Sequence, residues 1–181
     1  GERGICNRES MNMIAGLAGR EPSKWGTNPC SEIILRPKQF CNLSEIVIKE
    51  HDNINTLVEK VEFATILGTI QSACTRFPYL DEEWKANCED ERLLGVSFTG
   101  IYDNTIMSRP SDNLRDMLDH LKSVTKQTNK KWARIMGVDA SKSITCCKPS
   151  GTTSCVANSS SGIHPRFSDY YIRRVRVDTN S

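Results

Sequence analysis

The sequence predicts an α/β fold with parallel strands. Strand-like and helix-like segments alternate as strand, helix, strand, helix, strand between Asn42 and Cys147. Two long stretches carry apolar residues at three- and four-residue steps, and the strand candidates beside them are short runs bounded by turn formers. The 181 residues are enough for one domain with a core, and 38% hydrophobic against 25% charged residues excludes wholesale disorder. Lys and Arg (24) nearly balance Asp and Glu (22), and the net charge of +2 points to neither nucleic acid nor an anionic membrane as partner. No apolar run approaches the ~20 residues that span a bilayer, and the first residues lack a secretory apolar stretch, so a cytoplasmic location is expected. Gly1 at one end and the polar run Asp178 to Ser181 at the other suggest an internal piece of a longer protein.

Residues 1–32 are broken by Gly and Pro and read as loop, with one short helix near Met11–Leu17. Asn42–Lys49 alternates Ile46 and Ile48 with polar neighbours and reads as a strand. Asn53 is placed to cap a helix whose stripe is Ile54, Leu57, Val58, Val61, Ala64, Leu67 and Ile70. A charged stretch, Asp81–Arg92, precedes the apolar segment Leu93–Phe98, which reads as a buried strand. Ser111 or Asp112 caps a second helix with the stripe Leu114, Met117, Leu118, Leu121, Val124, Trp132 and Ile135, stopped by Gly137. Ser143–Cys147 is a short strand candidate, and Val175 and Val177 alternating with Arg174 and Arg176 predict a half-exposed strand at the end.

The eight cysteines are Cys6, Cys30, Cys41, Cys74, Cys88, Cys146, Cys147 and Cys155. None forms the C-x2-4-C pair of a structural zinc site, and no metal site is expected. A disulfide framework belongs to small secreted domains rather than to a chain with this helical patterning. Reduced thiols are expected, with Cys6, Cys74, Cys88 and Cys155 buried as small hydrophobes.

Two constellations can carry chemistry. In Asn28-Pro29-Cys30-Ser31-Glu32, an extended backbone would put Asn28, Cys30 and Glu32 on one face, joining an amide, a thiol and a carboxylate. The same residues also suit a solvated turn. Cys41 lies eleven residues on, at the mouth of a predicted strand, where it serves equally as a second site thiol or as a core residue beside Phe40. In Lys148-Pro149-Ser150-Gly151-Thr152-Thr153-Ser154, successive N–H groups and hydroxyls after a strand can hold a phosphate, although the spacing is not that of a P-loop. Gly151 is the position where close approach or a positive φ is expected. The alternative is a plain polar connection. Arg166, Arg173, Arg174 and Arg176, interleaved with Tyr170 and Tyr171, fit a half-exposed strand better than a nucleic-acid groove.

Taken together, Thr27 to Pro37, Gln39 to Glu45, Ile66 to Ser72, Glu91 to Ser97, Lys148 to Ser154 and Ser161 to Arg176 resemble the catalytic subunit of ribonucleotide reductases. The likeness is to the adenosylcobalamin-dependent (class II) ribonucleoside-triphosphate reductases of the monomeric type, and it runs nearly end to end. It implies that residues 1–181 are part of a ten-stranded α/β barrel with no complete second domain, with a central finger loop at about 20–42 and a phosphate loop at about 148–155. It also implies reduction of ribonucleoside triphosphates to DNA precursors by a thiyl-radical mechanism with adenosylcobalamin as cofactor. Cys30 matches the radical cysteine, Glu32 the base for the ribose 3′-hydroxyl, Asn28 an amide on a ribose hydroxyl, and Cys41 one half of the redox pair. Ser150, Gly151, Thr152, Thr153 and Ser154 match the substrate phosphate loop.

Further implied partners are a nucleotide effector bound outside this segment and a thioredoxin-like or other dithiol reductant, with neither nucleic acid nor membrane. The matched partner of Cys41 also lies outside the segment. Ser31 stands where the family usually has glycine, and Arg3 where it usually has proline. A dimeric-type or iron-dependent ribonucleoside-diphosphate reductase large subunit is the nearest rival within the family. A phosphate- or nucleic-acid-binding module is the rival from another class. An isolated half-barrel is expected to be inactive and to expose Ile46, Ile48, Leu94 and Val96.

Overall fold

The structure, a computed structural model, describes residues 4–172 and 174. Its centre is a parallel pair, β3 (Asn42–Val47) and β4 (Leu94–Thr99), in register from Asn42 opposite Leu94 to Val47 opposite Thr99. The predicted strand Ser143–Cys147 is reduced to a single parallel bridge, Val96 to Thr145, on the other side of β4. The described residues therefore show a mixed α/β segment and no closed barrel.

Helix α2 (Ile54–Ser72) starts at a capping box in which the Asn53 side chain accepts from the Thr56 amide and the Thr56 hydroxyl accepts from the Asn53 amide. Helix α4 (Asp112–Met136) starts at Ser111 and stops at Gly137, whose φ of +69° suits glycine. Helix α2 packs on both strands and α4 packs on α2. The core is Ile46, Ile48, Leu57, Val61, Leu94, Val96, Met107, Leu121 and Ile144. Ile46, Ile48, Leu94 and Val96 are thus covered by α2 rather than exposed, which corrects the expectation for an open half-barrel.

The helix faces also differ from the apolar stripes. The second half of α2 buries Thr65, Gly68, Thr69 and Ser72, while Leu67 and Ile70 are exposed. Close approach is the reason. A Cβ on Gly68 would lie 3.3 Å from Leu94, and the hydroxyls of Thr65 and Thr69 donate back to the Val61 and Thr65 carbonyls at 2.7 Å. Helix α4 answers with Thr125, Thr128, Asn129 and Ala133, and Asn129 donates to the Thr69 hydroxyl at 3.0 Å. Leu118 and Ile135 of the expected α4 stripe are exposed.

Three elements were not expected. The charged stretch after Asp81 is a helix, α3 (Glu82–Glu91), whose cap Asp81 accepts from the Glu83 amide. Its low apolar content hides it from a periodicity reading. Residues 26–35 form a hairpin of β1 (Gly26–Thr27) and β2 (Ile34–Leu35). A four-residue helix, α5 (Thr153–Val156), follows the serine-threonine turn. Helix α1 (Arg8–Leu17) includes the short helix expected near Met11. The terminal strand through Val175 and Val177, with Arg173 and Arg176, lies outside the described residues. So does Arg3. Among the described residues no helix is long and apolar enough to cross a membrane, and no group of three or more His, Cys, Asp or Glu is arranged to hold a metal ion.

Candidate active site

The hairpin carries Asn28, Cys30 and Glu32 at its tip, and of the two backbones these residues suit, an extended run and a turn, it takes the tight turn. The Ser31 amide donates to the Asn28 carbonyl at 3.0 Å, with Pro29 in the position a turn favours for it. The Asn28 side-chain oxygen accepts from the Ile33 amide at 3.1 Å, so one end of that amide closes the tip and its NH2 end is what remains for a ligand. Ser31 has φ +63°, the left-handed region that favours glycine, which is the physical reason glycine suits this position. Cys30 is exposed at the tip.

The root of the hairpin is fastened by a buried ionic cluster that sequence reasoning missed. Glu91, at the end of α3, has no solvent exposure. It accepts from Arg20 Nε at 3.0 Å and Nη2 at 2.8 Å, from Arg36 Nη2 at 2.8 Å and from Gln39 Nε2 at 2.7 Å. Burial alone would push the Glu91 carboxyl up, but Arg20, Gln39 and Arg36 outweigh it and hold the group below the usual carboxylate range. Arg20 also donates to the Ile34 carbonyl at 2.9 Å and lies 4.5 Å from the Trp25 ring. The cluster therefore ties both arms of the hairpin to α3.

Inside the hairpin, one face of the β3–β4 pair collects thiols and carboxylates. Cys41 directly precedes β3 and Cys146 follows the bridge beside β4, and both are half-buried. Between them lies Gly95, where a Cβ would sit 3.0 Å from Cys146 Sγ, 3.6 Å from Cys41 Sγ and 2.4 Å from the Leu43 side chain. Burial, then the neighbouring Cys146, then Glu32 push the Cys41 thiol up to about 12, with Arg20 acting in the opposite direction. Burial, then Glu32 and Cys147, push Cys146 up to about 12 as well, partly opposed by Lys148. Glu32 Oε2 is buried without a hydrogen-bond partner among the described residues, and Glu32 lines a small cavity with Cys146, Arg20 and Leu94. Glu45 holds Lys148 Nζ at 3.3 Å through one oxygen, and its other oxygen is buried and unpaired among the described residues.

The serine-threonine turn sits at the carboxyl ends of the parallel strands, where α/β folds place ligands. The Lys148 amide donates to the Ser97 hydroxyl at 2.9 Å, and Lys49 Nζ reaches the Ala157 carbonyl at 2.6 Å. Ser150 and Ser154 are buried and spend their hydroxyls within the turn, on the Lys148 and Gly151 carbonyls at 3.3 Å and 3.2 Å. Gly151 and Thr152 are exposed, and Thr153 is half-buried. The glycine that needs its missing side chain is Gly162, not Gly151. Gly162 has φ +53° and a Cβ there would lie 2.7 Å from the Lys148 carbonyl oxygen, whereas Gly151 has open space above it.

The structure thus brings Glu32 together with Cys41 and adds Cys146, which no sequence signal singled out beyond its place at a strand end. No hydrogen bond joins the hairpin tip to residues 150–154 among the described residues. Of the cysteines expected in the core, Cys88 is buried, whereas Cys6, Cys74 and Cys155 are exposed because they sit in loops, at a helix end or on the outer face of α5. In the basic run, Arg166 is held by Asp103 through two contacts of 2.8 Å and 2.9 Å and by Asn158, which leaves it engaged rather than open to a polyanion.

No protein-family model matches the chain. Curated relatives do. The chain is 27% identical over 187 residues to a probable adenosylcobalamin-dependent ribonucleoside-triphosphate reductase of Dictyostelium discoideum, covering all of this chain and 24% of that protein. It is 29% identical over 214 residues to the adenosylcobalamin-dependent ribonucleoside-triphosphate reductase of Lactobacillus acidophilus, covering 99% of this chain and 28% of that one. The enzyme of the same name from Euglena gracilis is 27% identical over 188 residues, with 100% and 25% covered. The chain spans about a quarter of the length of the curated relatives it matches. Among solved structures, a B-12 dependent (class II) ribonucleotide reductase superposes with a TM-score of 0.62 at 24% identity, over 77% of this chain and 22% of that one. The whole-length resemblance read from the sequence is borne out by these relatives, and the superposition shows the shared fold.

Proposed function

We propose that this chain is the finger-hairpin part of the catalytic barrel of an adenosylcobalamin-dependent enzyme that reduces ribonucleoside triphosphates to 2′-deoxyribonucleoside triphosphates. The observation that carries the proposal is Glu32: a buried carboxylate oxygen without a partner among the described residues, beside two half-buried thiols and two residues from an exposed cysteine at a hairpin tip. The relatives that cover the whole chain support the same reading.

Cys30 suits the cofactor because its sulfur is exposed at the tip, reachable without displacing any packed side chain. Adenosylcobalamin, when bound, supplies the radical chemistry that removes the Cys30 thiol hydrogen. The Cys30 sulfur then takes the ribose 3′-hydrogen, and Glu32 Oε2 accepts the 3′-hydroxyl proton, for which an unpaired oxygen in a desolvated setting is suited. The free NH2 end of Asn28 holds a ribose hydroxyl. With the 2′-hydroxyl lost as water, Cys41 and its matched partner thiol supply two electrons and close to a disulfide, which a thioredoxin-like dithiol reopens. Residues 150–154 hold the triphosphate, and the nucleotide effector binds outside this segment.

The test is made in the full-length protein. Cys30→Ser should abolish both nucleotide reduction and thiol-dependent exchange of cofactor hydrogen with solvent, whereas Cys41→Ser should lose turnover and keep the exchange. Normal reduction by Cys30→Ser would overturn the assignment. A requirement for iron instead of the cobalamin would move the chain to the rival class.

A further inference from the structure

We propose that Cys146 is a resolving thiol for Cys41: when Cys41 is held in a disulfide, Cys146 attacks its sulfur and closes a Cys41–Cys146 disulfide on the inner face of the β3–β4 pair. Three observations support this. Both sulfurs lie within 3.6 Å of the single point where a Gly95 Cβ would be, so Gly95 puts no side chain of its own between them, and the Leu43 side chain, 2.4 Å from that point, is the group that must turn aside. Each thiol lies outside the continuous β3–β4 ladder: Cys41 directly precedes β3, and Cys146 follows a one-residue bridge and is held beside β4 by its amide's bond to the Val96 carbonyl at 3.1 Å. The third is a proton acceptor. Glu32 is a neighbour of both thiols and has a buried oxygen that no described group occupies.

The step balances without an outside electron carrier. Glu32 takes the proton of the Cys146 thiol, and the resulting thiolate forms a bond to Cys41 Sγ. The bond between Cys41 and the outgoing sulfur breaks, and that sulfur leaves as a thiolate and is protonated. The exchange is redox-neutral: the incoming disulfide of Cys41 and the Cys146 thiol become the Cys41–Cys146 disulfide and one released thiol. The incoming disulfide is the one Cys41 makes with its matched partner in turnover, and for that identity alone the inference rests on the proposed function. Any low-molecular-weight disulfide serves the same chemistry. The consequence is an oxidising equivalent moved one strand away, freeing the partner thiol while Cys30 stays reduced.

The experiment treats the full-length protein with oxidised glutathione, blocks remaining thiols by alkylation, and seeks the cross-linked peptide by mass spectrometry after digestion. The peptide carrying Cys41 should be joined to the one carrying Cys146. The link should be lost in both Cys146→Ala and Cys146→Ser and kept in Cys147→Ala. A link that survives in the Cys146 variants, or no link in the wild type at any glutathione ratio, overturns the inference. Nucleotide reduction with adenosylcobalamin is read on an untreated, reduced portion of the same wild-type preparation. A link without reduction removes the proposed function and leaves the thiol pair standing, and reduction without a link does the reverse.

Discussion

Glu91→Gln removes one charge from the cluster that fastens the hairpin while keeping the side chain's shape. The carboxylate now accepts four hydrogen bonds from three residues, two of them guanidinium groups. A glutamine turns one oxygen into an NH2 that faces two donors, so two contacts become repulsive and two weaken. Removing one partner of a buried pair costs about 3–5 kcal/mol. The lower end applies here, because Arg20 keeps the Ile34 carbonyl at 2.9 Å and Arg36 keeps Asp90 at 2.8 Å. About 3 kcal/mol corresponds to roughly a hundredfold in an opening equilibrium. The cost should fall on the hairpin rather than on the core, because the cluster joins Arg20, Arg36 and Gln39 to α3 and touches neither β3 nor α2.

The assay is amide hydrogen exchange in the full-length protein. Amides of residues 20–39 should exchange faster by up to that factor, with those of β3 and β4 unchanged. Unchanged exchange in 20–39 would refute the clamp, and uniform acceleration everywhere would show Glu91 to be a general support instead. The pH dependence has a definite sign. The folded Glu91 carboxyl lies below its unfolded value of 4.5, so its contribution is complete above about pH 4.5 and is lost as pH falls through the folded value. Glu91→Gln should lack that acid limb.

Ser31→Gly should tighten the tip: it relieves about 1–2 kcal/mol of left-handed strain against about 0.4–1 kcal/mol for the freer unfolded glycine, and slower exchange of the Ile33 amide would record it. Lost protection there would count against the strain argument. Gly162→Ala should destabilise the turn, because its φ is +53° and the new Cβ meets the Lys148 carbonyl oxygen at 2.7 Å, whereas Gly151→Ala meets nothing within 4 Å and should be near neutral in a thermal melt. The reverse order would place the strain elsewhere. The Cys41 and Cys146 thiols are raised from 9.0 to about 12, Cys41 by burial, Cys146 and Glu32 against Arg20, and Cys146 by burial, Glu32, Cys147 and Glu45 against Lys148. Their contribution to stability should be complete below pH 9.0 and fall away as pH rises through about 12, and their alkylation rates should climb over the same range. Alkylation that levels off near neutral pH would contradict that.

Much of the fold was legible because its signals are local. Asn53, Ser111 and Gly137 mark helix ends through bonds to residues three or four positions away, so a reader of the chain finds them without the fold. The strand around Ile46 was legible from its alternation and the one around Leu94 from its apolar run. Helix α3 was not, since its face toward the protein mixes Trp84 and Cys88 with the charged Glu91, whose burial depends on Arg20 and Arg36, distant in sequence. The hairpin tip is ambiguous in the sequence because a turn at Pro29 and extended chain share the same residues until the Ser31 amide finds the Asn28 carbonyl.

By itself the sequence determined the alternation of strands and helices, their caps, and the order of the blocks from Asn28 to Arg166 that carry the family resemblance. Only the tertiary structure decided which thiol lies beside Cys41, which carboxylate is left unpaired and which residues hold the hairpin. Those facts depend on strands β3 and β4 lying side by side with Gly95 between two sulfurs, and on α3 delivering Glu91 to Arg20 from 71 positions away. Caps and periods are written in near neighbours. Burial and the charge it isolates arise only when distant segments exclude water together.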